Sequence, residues 1–145
     1  MSGIIVGVDG SGHSLRALEW AAREAALRKS ALNVVVVHQV LRGYSGHGVA
    51  FAGDTELAEK AGRAAKSETD EVLAGLGDDQ PAEAHVHLRI GIPAEELLDA
   101  AKDADMIVLG SRGAGGFARL LMGSVSAQVA HHAHCPVVII PADHG

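Results

Sequence analysis

The most specific chemistry in this chain lies in one run, Gly110-Ser111-Arg112-Gly113-Ala114-Gly115-Gly116-Phe117-Ala118-Arg119-Leu120-Leu121-Met122-Gly123-Ser124. Glycines lack a Cβ, so successive backbone N–H groups can turn into one concave nest that holds anions. Gly123-Ser124 then opens a helix, with Ser124 as its cap, and the positive end of that helix adds to the same spot. The chemistry this asks for is a phosphate. Arg112 and Arg119 can offset its charge, and Arg112 is the better placed to fork around phosphate oxygens.

Two common nucleotide motifs do not fit the run. The P-loop pattern needs a Lys after its last glycine, and no Lys follows any glycine here. Gly113-Ala114-Gly115-Gly116-Phe117-Ala118 comes close to the dinucleotide fingerprint. That fingerprint belongs after the first strand of a fold and needs an acidic residue about 20 positions on, where this chain has His131-His132-Ala133-His134.

Asp9 is the second candidate. It ends the first apolar run, Ile4 to Val8. A carboxylate there can accept hydrogen bonds from ribose hydroxyls or an adenine amine. Beside phosphates it would repel them, so it serves the nucleoside end or acts through a divalent cation. The plainer alternative is an Asx turn entering the next helix.

Other reactive residues have structural explanations. His131, His132, His134 and Cys135 cluster, but lack a second ligand pair at zinc-finger spacing. His131 and His134 close a helix, where cations favour the dipole, and Cys135-Pro136 leads into a buried strand. His38 sits on an apolar strand as an interior histidine. Spacing argues for no Ser-His-Asp set and no paired carboxylates, so no catalytic or metal-ligating residue is assigned.

The elements that must position these residues follow from the hydrophobic pattern. Ile4 to Val8, Leu32 to Val37, Met106 to Leu109 and Val137 to Ile140 are short apolar runs without polar alternation, as in strands covered on both faces. Ala84 to Ile90 alternates and reads as a strand with one wetter face, at a sheet edge. Helices fill the gaps. Leu15, Leu18, Ala22 and Ala25 share a face after a cap at Ser11 or Ser14. A second helix, Thr55 to Leu73, is closed by Gly75-Leu76-Gly77. Pro93 with Glu95 and Glu96 starts a third, and Val125, Val129 and Ala133 belong to the last. Arg42 to Gly53, with four glycines, reads as a mobile loop.

Alternating strands and helices with right-handed crossovers predict an open, doubly wound, five-stranded parallel sheet, strand order 3-2-1-4-5, with helices on both faces. Ligands of such sheets bind at the carboxyl ends of strands where the winding reverses, here the first and fourth. The order also puts Val137, Val138, Ile139 and Ile140 at a sheet edge. An uncharged apolar edge needs a cover, and a second copy of the chain is the expected one.

At 145 residues one domain, 1–145, is expected. With 48% hydrophobic and 21% charged residues, it has a globular composition. Aromatic residues are only 3%, which argues against base-stacking platforms, and a net charge of −6 without a basic block argues against a nucleic-acid partner. A lone cysteine forms no internal disulfide, and the N-terminus has neither a signal-peptide pattern nor a membrane span, so a cytoplasmic protein is expected.

One longer pattern organises the candidates: Gly110, two residues, Gly113, the nine residues Ala114 to Met122, then Gly123-Ser124. With Ile5-Val6-Gly7-Val8-Asp9-Gly10-Ser11 and His134-Cys135-Pro136-Val137-Val138-Ile139-Ile140, the chain resembles the ATP-binding branch of the universal stress protein family over essentially its whole length. The resemblance implies an adenine nucleotide alpha-hydrolase-like fold. It places Asp9 beside the adenosine moiety, with Gly7 as the small residue near it, and the backbone of Gln39 at the adenine edge. It places Gly110 and Gly113 near ribose and phosphates, and Gly123, Ser124 and Val125 in the phosphate-binding turn. It further implies ATP, with or without Mg²⁺, a homodimer through the last strand and a regulatory protein partner not identifiable from sequence. Cyclic AMP as ligand, slow nucleotide hydrolysis and a nucleotide-independent dimeric scaffold are the alternatives.

Overall fold

Residues 1–42, 48–49, 54–111 and 123–141 are described by a computed structural model. The chain runs β1 (Ile4–Val8), α1 (Gly12–Arg28), β2 (Ala31–Gln39), β3 (Leu41–Arg42), β4 (Gly48–Val49), α2 (Asp54–Ala74), β5 (Glu83–Gly91), α3 (Pro93–Ala100), β6 (Met106–Gly110), α4 (Ser124–His132) and β7 (Val137–Ile140). Five strands form one parallel sheet in the order β5-β2-β1-β6-β7. Numbering only these five in chain order gives the expected 3-2-1-4-5.

Strand bounds follow burial. Every residue of β1 is buried, because both of its sheet neighbours and both helix layers cover it. β5 has one sheet neighbour, and its alternating sequence leaves Leu88 and Ile90 partly in water.

The two faces carry separate cores. Ile4, Val6, Val8, Val34 and Val108 pack with Leu18, Ala21, Ala22 and Ala25 of α1 and Ala65 of α2. Ile5, Val35, Ile107 and Leu109 pack with Ala94 and Leu97 of α3 and Val129 of α4. Period-two strand geometry sends neighbouring residues to opposite faces, so Ile4 and Ile5 serve different cores. Small alanines let α1 approach the sheet closely.

Helix ends follow the expected chemistry in three cases. Ser11 caps α1, its Oγ accepting from the Ser14 N–H at 3.2 Å. Gly75 N–H closes α2 onto Glu71 and Val72 carbonyls, and Gly77 takes a φ of +65°. Pro93 begins α3.

Three local expectations are corrected. Gly123, not Ser124, is the N-cap of α4, and no side chain caps it. Ser124 is the first helical residue, one position past where a hydroxyl serves as cap. His134 lies beyond the helix, which ends at His132 with Ala133 as C-cap. Within the stretch read as a loop, Arg42 pairs with Gly48, and Leu41 just before it with Val49, in an antiparallel ladder. Two-residue strands are too short to leave an alternating signal in sequence.

Candidate functional site

The strand order reverses between β1 and β6. The two strands pair in parallel with Val6 opposite Val108. Val8 and Gly110 each lie two residues further on, so Asp9 and Ser111 leave the sheet at the same level, on adjacent strands. This is the crevice where open α/β sheets take ligands.

On the β1 side, Asp9 is exposed. Its Oδ1 accepts from the Ser11 N–H at 2.9 Å, so the Asx turn read from sequence is present. Its own N–H donates to the buried Ser14 Oγ at 3.2 Å, and Ser14 Oγ donates to the Ser11 carbonyl. Ser14 thereby fixes the backbone that carries the carboxylate. Glu68 of α2 was not legible as a neighbour, yet its carboxyl is pushed above the usual range by burial, then by the negative charges of Asp9 and Glu71. Local periodicity carries no signal for such a pairing. The exposed Asp9 carboxylate at the end of β1 gives this side of the crevice its negative charge.

On the β6 side, Gly110 is half-buried and Ser111 is buried. Ser111 N–H donates to the Ile140 carbonyl at 2.9 Å, extending the β6–β7 ladder. Its carbonyl accepts from the Gly123 N–H and from Ser126 Oγ at 3.2 Å. Ser126 Oγ is also 3.0 Å from the Gly123 carbonyl. The start of α4 is therefore tied directly to the end of β6. Ser126 was missed by the sequence reading, since a serine three residues after Gly123 looks like any helical serine. The N–H groups of Ser124, Val125 and Ser126 have no acceptor within α4, which makes this end the positive one. Ser124 is exposed there, while Val125 packs on the core of the α3–α4 face.

The remaining candidates separate. Gln39 is exposed at the carboxyl end of β2, beside β1, and pairs with Gly91 of β5. Gly7 is buried, and the space a Cβ would take is filled by Leu109 and Leu97, which accounts for its small size by packing. Arg112 and Gly113 lie outside the described residues, as does Arg119. Val137, Val138, Ile139 and Ile140 form the β7 edge and are all partly exposed. His131, His132 and His134 are exposed, His38 is half-buried, and burial pushes the Cys135 thiol up. Among the described residues no group of three or more His, Cys, Asp or Glu gathers to hold a metal ion.

The model of the universal stress protein family matches residues 1–141. This chain belongs to that family. It is 36% identical over 143 residues to a universal stress protein of Mycolicibacterium smegmatis, covering 97% of this chain and 48% of that one. The chain thus spans about half the length of the curated relatives it matches. Among solved universal stress proteins, UspA from Lactobacillus plantarum superposes with a TM-score of 0.78 at 26% identity, covering 96% of this chain and 97% of that one. A universal stress protein in complex with cAMP gives 0.67 at 25% identity, covering 97% and 96%. One from Archaeoglobus fulgidus in complex with dAMP gives 0.64 at 29%, covering 97% and 98%. Among the described residues no helix is long and apolar enough to cross a membrane.

Proposed function

We propose that this universal stress protein is an adenine-nucleotide-binding regulatory module, with ATP as its ligand and a nucleotide-dependent surface as its output. The observation that carries the reading is the asymmetry of the crevice. Its β1 side carries the exposed Asp9 carboxylate, whose charge also reaches Glu68, and its β6 side ends in the positive start of α4 at Ser124. A nucleotide has the matching asymmetry. Its ribose and adenine offer donors to the Asp9 carboxylate, and its phosphates seek N–H donors. Bound cAMP and dAMP in related proteins support the adenine class.

In this arrangement Gln39 meets the adenine edge through its backbone. Gly110 lies near the ribose and phosphates, Gly123, Ser124 and Val125 hold the phosphates, and Arg112 and Gly113 belong to the same side by the family's glycine pattern. The set contains a binder's groups rather than a phosphoryl-transfer apparatus with a P-loop lysine and a water-positioning base. The protein works in the cytoplasm and pairs with a second copy through Val137, Val138, Ile139 and Ile140 at the β7 edge.

Mass spectrometry of small molecules released from freshly purified protein, followed by calorimetry with ATP and cAMP, tests this. Adenine compounds in the eluate and saturable heat are expected. No adenine in the eluate and no saturation by either nucleotide at millimolar titrant would overturn it.

A further inference from the structure

Ser126 stands at an unusual junction. It is buried, at 3% exposure, and its hydroxyl reaches both the Ser111 carbonyl at the end of β6 and the Gly123 carbonyl at the cap of α4. A hydroxyl has one proton, so it alternates between the two acceptors. Both carbonyls keep another donor without it. Gly123 N–H serves the Ser111 carbonyl, and Ala127 N–H serves that of Gly123 at 3.0 Å. Loss of the hydroxyl therefore orphans no carbonyl, and global stability has little reason to depend on it. The hydroxyl is a second tie, beside the Gly123 N–H, that holds the α4 start in place against β6. Ser111 is itself held to β7 through the Ile140 carbonyl, so the tie fixes the helix start against two strands.

We infer that Ser126 is the positioning residue of the phosphate side of the site: it pins the first turn of α4 to Ser111, so that the Ser124 and Val125 N–H groups stand ready for an anion. This rests on the nucleotide reading above and adds to it a residue that need touch no ligand. A defect confined to the α4 start weakens whatever depends on phosphate and leaves the nucleoside contacts of Asp9 alone. General loosening of the fold would weaken both.

The experiment compares wild type, Ser126→Ala and Ser126→Thr, which keeps the hydroxyl. Calorimetry with ATP and with adenosine is one arm. Amide exchange at Gly123 without ligand is the other. In Ser126→Ala, ATP affinity should fall about tenfold, the equivalent of about one hydrogen bond, with adenosine affinity unchanged. Gly123 exchange should accelerate several-fold, and Ser126→Thr should restore both. If the extra methyl prevents folding of Ser126→Thr, the alanine variant with its ATP-to-adenosine contrast decides alone. Unchanged Gly123 exchange in Ser126→Ala, or equal losses for ATP and adenosine, overturns the inference. No saturation of the wild type by ATP or adenosine overturns the nucleotide reading instead, while the exchange arm still reports whether Ser126 pins the helix.

Discussion

A β-carbon on Gly7 would stand 2.7 Å from Leu109 Cδ2, closer than real side chains approach, and 3.0 Å from Leu97 Cδ2. Both leucines are buried in the core of the α3–α4 face, so neither can swing into water. Gly7→Ala should therefore destabilise the protein by about 1–3 kcal/mol through overpacking. At roughly 2–4 °C per kcal/mol for a chain of this size, thermal unfolding should show it. The double variant Gly7→Ala/Leu109→Ala should lose less than the sum of the single losses. Strict additivity in that cycle would show that the two residues do not share the space.

The Asp9 carboxylate builds a turn and faces the crevice, and one substitution separates the two roles. Asp9→Asn keeps an Oδ1 acceptor for the Ser11 N–H but removes the charge. Stability should stay within about 0.5 kcal/mol, as for an exposed substitution. ATP affinity should drop about tenfold, a charge-assisted hydrogen bond being worth about 1.5–3 kcal/mol. The Glu68 carboxyl, followed by NMR titration, should move down towards its ordinary range but stay above it, since burial is the larger cause of its shift. Full ATP affinity in Asp9→Asn would reduce the residue to its turn.

A pH response is built into the β5–β2 edge. His87 Nε2 lies 2.8 Å from Asn33 Oδ1, and Asn33 Nδ2 donates to the Ser2 carbonyl at 2.8 Å. The amide is thus oriented with its oxygen towards the ring, so Nε2 is the donor. Burial, then His85, Arg89 and the N-terminal amine, lowers the His87 pKa below its usual 6.5. The unfolded chain therefore takes up this proton at a higher pH than the folded one. Stability from neutral His87 is present above about pH 6.5 and declines as pH falls from there towards the folded value. His87→Gln keeps an N–H donor and does not titrate, so denaturant midpoints at pH 7.5 and pH 5.5 should lie closer together in the variant. An equal gap in both proteins would remove His87 as the source.

The dimer proposal is sharpest at the main chain of β7. The carbonyls of Pro136 and Ile140 accept from β6, so alternation turns the N–H groups of Val137 and Ile139 away from the sheet. Val138 packs its side chain on the α1 face and Ile139 on the α3–α4 face, so a charge at either would damage the fold as well as any interface. Ile139→Pro removes an outward donor, and sheet edges accept proline. Sedimentation should show a dimer for wild type and a folded monomer for the variant. A dimer that survives Ile139→Pro is built elsewhere.

Much of this was legible because local chemistry dictated it. Ile4–Val8 and Val137–Ile140 have the bounds read from sequence, since helix layers on both faces select apolar runs, which stop at Asp9 and Pro141. The alternation of β5 marked an edge strand for the opposite reason. Asp9 and Gly110 stood out as strand-terminal residues, and the order of elements with right-handed crossovers already made β1 and β6 neighbours. Short-range geometry left less of a trace: a one-residue shift moves the cap of α4 from Ser124 to Gly123, His134 falls beyond the helix end, and the two-residue strands β3 and β4 carry no pattern of their own.

By itself, then, the amino-acid order determined the elements of the five-stranded sheet and its helices, their parallel order and the family, because hydrophobic period, turn residues and crossover handedness are properties of short stretches of chain. Only the tertiary structure decided that Gly7 is small for the sake of Leu109, that Glu68 shares the field of Asp9, and that Ser126 ties α4 to Ser111. Those relations join residues from different elements. Their partners are chosen by how the packed layers meet in space, which no local pattern encodes.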